Sequence, residues 1–228
     1  MMLLQVVNQL SQASQATSQG ELSLSLFDLA VKGGWIMLIL GLLSIVTIYV
    51  FVDRFIAIKN ASKIDQKFME NIKEYILNGK LENALALCKA QNNPLSRMIE
   101  KGINRIGRPL NDINAAIENV GKLEIANLEK SIAILATIAG ASPMLGFLGT
   151  VTGMIKAFYN MANAGNNIDI TLLSGGIYEA MVTTVGGLIV GIFAYIAYNY
   201  LVVRIENLIY NLERNTTEFM DLLNEPVK

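Results

Sequence analysis

The sequence predicts an all-α integral membrane protein with three transmembrane helices, two of them very long and extending into a cytoplasmic helical stalk. Three observations carry this. Uncharged runs separate Lys32 from Asp53, Lys130 from Lys156 and Glu179 from Arg204, and each matches the 20 or so apolar residues a helix needs to cross the hydrocarbon core. Hydrophobic residues make up 53% of the 228 and charged ones 16%, where a soluble domain carries about a quarter charged residues. Mean hydropathy is +0.43.

Residues 1–28 form a segment ahead of the first span, with no basic n-region of the kind a cleaved signal peptide carries. Met1, Leu3, Leu4, Val7 and Leu10 could line one face of a short interfacial helix; a disordered tail is the alternative. The first transmembrane helix is expected at 29–53, the second at 131–160 and the third at 174–203, with a short loop at 161–173. The second and third are richer in Gly, Ala, Ser and Thr, as suits helices packed against helices rather than lipid.

Cations set the orientation. Arg54, Lys59, Lys63 and Lys67 follow span 1, Lys122 and Lys130 precede span 2, and Arg204 and Arg214 follow span 3. The N-terminus and the 161–173 loop are therefore expected on the outer side of the membrane, and 54–130 and 204–228 on the inner, cytoplasmic side. Basic residues near the inner interface also suit anionic membrane lipids.

Within 54–130, helical periodicity appears from Ile64 to Leu77, in LENALALCKAQ and in LSRMIEKGINRI. Asn78-Gly79, Asn92-Asn93-Pro94 and Gly107-Arg108-Pro109 punctuate these short amphipathic helices. From about Leu110 the pattern runs into span 2 without a breaker, and after span 3 it continues until Pro226. Each continuous helix would approach about 50 residues, roughly 75 Å, more than twice the membrane core.

The composition excludes much chemistry. With no histidine, imidazole catalysis and His-ligated metal sites are absent. The single cysteine, Cys88, reads as a small apolar filler on a helix. A net charge of −1 offers no footprint for nucleic acid. No enzyme, cofactor or metal is expected.

Two stretches could carry function. In span 2, Ser142, Gly146, Gly149 and Gly153 recur on one small-residue face, with Thr150 beside it. Pro143 removes a backbone hydrogen bond and is expected to kink the helix near Ala139. In span 3, Gly176, Ala180, Thr183 or Thr184, Gly187, Gly191 and Ala194 trace a second small face, with Glu179 adjoining it. A carboxylate in hydrocarbon normally faces a cavity or a partner. Against that stands simple helix packing for the glycines, and simple hydration at the outer interface for Glu179. No cation within the spans is expected to pair with Glu179, and three helices cannot enclose a polar pore, so a partner or another copy must complete any path.

The pairing of GFLGTVTGMIKAF in span 2 with GIYEAMVTTVGGLIVGI in span 3 resembles the ExbB/TolQ/MotA proton-channel family, closest to ExbB and then TolQ. The resemblance covers roughly residues 25–220 and is strongest over 140–199. It implies a proton-channel ring subunit, a pentamer around an ExbD- or TolR-like single-span subunit that supplies an intramembrane Asp. Such a motor in the inner membrane couples the proton gradient, through a TonB-like protein, to outer-membrane transport, or in the TolQ case maintains the envelope. The resemblance assigns the pathway residues as Glu179, Thr150 and Thr184, with Thr183 an additional hydroxyl. A non-conducting membrane scaffold is the competing reading.

Overall fold

The structure, a computed structural model, describes residues 33–63, 67–163 and 170–224. Regular structure among the described residues is helical throughout: α1 (Gly34–Ala61), α2 (Phe68–Leu77), α3 (Leu81–Gln91), α4 (Pro94–Ile103), α5 (Leu110–Glu129), α6 (Ile132–Asn163) and α7 (Ile170–Asn224). The segment before Gly33 lies outside the described residues, as do 64–66, 164–169 and 225–228.

Local chemistry sets the short helices. Gly79 and Gly107 hold φ of +69° and +94°, a region glycine enters without steric cost, and each separates two helices. Asn92 closes α3 in the left-handed region at φ +43°. Asn93 then caps α4: its side chain accepts from Ser96 N at 2.8 Å, Ser96 Oγ accepts from Asn93 N at 3.0 Å, and Pro94 fills the first helical position. The breakers visible in the sequence thus coincide with helix ends.

One boundary is not where the sequence placed it. The run from Leu110 to Asn163 is interrupted at Lys130–Ser131, where Ser131 adopts φ +72° and separates α5 from α6. The remaining long helix, α7, runs unbroken for 55 residues. Among the described residues, three helical runs are long and apolar enough to span a membrane: Gly34–Ala61, Leu110–Asn163 and Leu173–Asn224.

The molecule has a membrane half and a stalk. In the membrane half α6 and α7 form the most extensive contact of the structure, and α1 packs on both. Leu38, Ile45, Phe147, Phe193 and Ile196 point outward, as lipid-facing side chains do. In the stalk α2, α4 and α5 gather on the lower part of α7, with α3 packed on α2 and α4. Phe68, Ile72, Leu95, Ile99, Ile117, Leu212 and Phe219 are fully buried there. Cys88 is buried beside them. Arg54 bridges the halves: Nη1 donates to the carbonyl of Asn127 at 3.1 Å, in the last turn of α5, where exposed carbonyls favour a cation. In the stalk Arg97 grips Glu124 through two bonds of 2.6 Å, the bidentate geometry that makes such pairs strong.

Candidate functional site

The α6–α7 seam is built backbone to backbone. A Cβ placed on Gly146 would stand 3.0 Å from the carbonyl oxygen of Thr183 and 3.3 Å from Cα of Gly187. One on Gly187 would stand 2.9 Å from Cα of Gly146, and one on Gly153 would stand 2.9 Å from the carbonyl oxygen of Gly176. Gly176 in turn sits against Ala157, and Gly149 against the Thr183 side chain. Only residues without side chains allow helices this close, and lipid offers no hydrophobic drive to hold larger ones together. Pro143 lies inside α6, which stays helical through it, and its ring rests on Gly191. The carbonyl of Ala139, whose usual donor proline lacks, also faces Gly191.

The polar groups distribute unequally around this seam. Thr183 is 1% exposed, and its hydroxyl donates to the carbonyl of Ala180 at 2.9 Å on its own helix. Thr184, half-buried, donates across the seam to the carbonyl of Gly146 at 3.1 Å. Thr150 lies outside the seam, half-buried, with its hydroxyl turned back to the carbonyl of Phe147 at 2.6 Å. Ser142 is fully buried, and its Oγ has no hydrogen-bond partner among the described residues. The structure therefore brings Thr183 and Thr184 to the seam and leaves Thr150 on the adjoining flank of α6.

Glu179 departs from the sequence reading in one respect. It has a cationic partner within the chain: Lys156 Nζ lies 3.1 Å from Glu179 Oε2. Lys156 bounds the uncharged run of span 2, yet it follows Gly149 and Gly153 by seven and three residues, which continues the seam register. The other carboxylate oxygen, Oε1, lies 2.5 Å from where a Cβ on Gly34 would stand, so the first turn of α1 is laid over the acid. Gly34 itself is at φ +66°, which disfavours any side chain there. Glu179 thus touches all three long apolar helices. Gly34 was missed in the sequence, although Gly33-Gly34 directly before an apolar run was a signal for a special backbone position.

Away from the seam, burial pushes the Cys88 thiol up to about 12, with the nearby Glu100 charge adding to the rise. It is a poor nucleophile there. Arg97 is held still more firmly in its charged form by its hydrogen bonds to Glu124. Among the described residues no cluster of His, Cys, Asp or Glu could hold a metal ion.

Fold and site together define a multi-pass helical membrane protein whose second and third spans interlock through glycines around one carboxylate. Residues 90–214, more than half of the chain, match the MotA/TolQ/ExbB proton channel family, and the chain belongs to that family. It is similar to an ExbB homolog of Methanothermobacter thermautotrophicus, 30% identical over 176 residues, which is 75% of this chain and 62% of the relative. It is also similar to the biopolymer transport protein ExbB of Neisseria meningitidis serogroup A, 27% identical over 73% of this chain and 80% of the relative. The Tol-Pal system protein TolQ of Pseudomonas aeruginosa is 28% identical over 74% of this chain and 79% of its own length. The chain thus spans less than two thirds of the Methanothermobacter protein.

Proposed function

We propose that this chain is a proton-channel ring subunit of an ExbB–ExbD type motor, coupling the proton gradient across the inner membrane to TonB-dependent outer-membrane transport. The observation that supports it most is Glu179: a carboxylate beside the α6–α7 seam, one turn before Thr183 and five residues before Thr184, in a chain of this family. An acid at that depth is costly unless it faces a partner or a path. Thr184 and Thr150 are both half-buried, so each leaves part of its surface to a neighbouring copy or a partner helix. Thr183 is enclosed within the chain. In this reading Thr184 rather than Thr183 lines the path.

The chain assembles as a pentamer around a single-span, ExbD- or TolR-like subunit, whose intramembrane Asp completes the relay. The N-terminus is periplasmic and the stalk cytoplasmic, as the distribution of cations along the chain favours. The relative named TolQ is as similar as the one named ExbB, which supports a second reading, a TolQ-like subunit of the Tol envelope system.

The test replaces Glu179 by Ala, and Thr150 with Thr184 by Val, in cells expressing the assembled complex. Proton-dependent uptake through outer-membrane transporters is then measured. Loss of uptake with the complex intact supports the pathway; normal uptake together with unchanged detergent sensitivity in both variants overturns it. Uptake that is normal while detergent sensitivity of the envelope rises supports the TolQ-like reading.

A further inference from the structure

Glu179 is engaged on two sides by different helices. Lys156 on α6 meets Oε2 at 3.1 Å, and Gly34 at the start of α1 lies against Oε1. We propose that Lys156 is the positioning residue of the Glu179 site: it holds the carboxylate against α6 and so moors the first turn of α1 over it.

The Lys156 side chain is 64% exposed and that of Glu179 26%. A pair so exposed in water contributes little, because solvent screens it and two side chains must be held still. At a membrane-spanning seam the surroundings are less polar. Removing the ammonium there leaves a carboxylate without compensation, which costs far more than the pair contributes. Glu179 would then turn away from the seam toward water, and Gly34 would lose the group on which it rests. The positive φ of Gly34 and the carboxylate in its Cβ space make this a fitted contact rather than a loose one. Removal of Glu179 should loosen α1 by the same route, so the two substitutions act through one contact.

The chain carries its own probe. Its single tryptophan is Trp35, next to Gly34 and 66% exposed. The full chain is reconstituted in phospholipid vesicles, and Trp35 fluorescence is quenched with acrylamide in K156A, K156Q, K156R, E179Q and the double variant K156A/E179Q. We expect K156A, K156Q and E179Q each to raise the quenching constant about twofold, the double variant to add nothing further, and K156R to stay near wild type. K156Q removes the charge but keeps a polar side chain only one atom shorter, so it remains informative if K156A inserts poorly. Quenching unchanged in both K156A and K156Q, or additive in the double variant, overturns the mooring. Because this readout needs no conduction, it is independent of the proposed function. Normal uptake and unchanged detergent sensitivity in Glu179→Ala with loosened Trp35 would sink the channel reading and leave the mooring standing.

Discussion

The membrane half and the stalk solve the same problem, holding helices together, with opposite residues. In the stalk, Phe68, Ile99, Ile117, Leu212 and Phe219 are buried between helices that water surrounds. In the membrane half, α6 and α7 meet through Gly146, Gly149, Gly153, Gly176 and Gly187, while large side chains such as Phe147 and Phe193 face outward. The difference follows from the solvent. Water expels large apolar groups, so the stalk gains by burying them. Lipid does not, so the spans gain only from close backbone contact and from hydrogen bonds such as Thr184 to the carbonyl of Gly146. One helix, α7, carries both designs along its 55 residues.

Removing volume should therefore hurt the stalk most. Phe219→Ala is expected to destabilise it by about 4 kcal/mol, the range for truncating a buried Phe. Protease accessibility of the stalk in the vesicle-embedded chain measures this, with α6–α7 contact near the glycines unaffected. Adding volume should hurt the membrane half instead. Gly187→Ala places Cβ against Cα of Gly146, backbone that cannot step aside, and is expected to cost about 3 kcal/mol. Gly102→Ala, in the stalk, meets side-chain atoms of Phe219 and Ile117 rather than backbone, and should cost less, about 1 kcal/mol. Thermal unfolding in the same detergent ranks the two glycine variants. Equal losses would break the distinction between the halves.

The smallest effect concerns pH. The Cys88 thiol, ordinarily at 9.0, is pushed up to about 12 in the folded stalk, mainly by burial. The folded state therefore keeps the thiol protonated after the unfolded chain would release the proton. Its contribution is complete below about pH 9 and is lost as pH rises toward 12. Alkylation of Cys88 should stay slow at pH 8 in the native chain and become fast in Phe219→Ala, whose stalk opens.

The two halves were also unequally legible in the sequence. Uncharged runs and Gly or Asn-Pro breakers located the spans and the short helices, because charge and backbone freedom act locally. The interruption at Ser131 left no such mark, since serine in the left-handed region has no composition signature. The small-residue spacing placed Gly146, Gly149 and Gly153 on one face, but periodicity could not say which of Thr183 and Thr184 that face encloses. Only the rotation of α7 against α6 decides it, enclosing Thr183. Lys156 was read as the edge of a run because it is charged, although its register put it on the seam beside Glu179.

The central proposal is that Glu179 lines a proton path. Its most direct measurement is proton influx into vesicles that hold the chain together with the proposed single-span subunit, driven by an imposed pH difference, for wild type and Glu179→Gln. The account predicts influx at least about tenfold slower in the variant, an increase of about 1.4 kcal/mol in the barrier. Influx at the wild-type rate, with the complex shown intact, would contradict it.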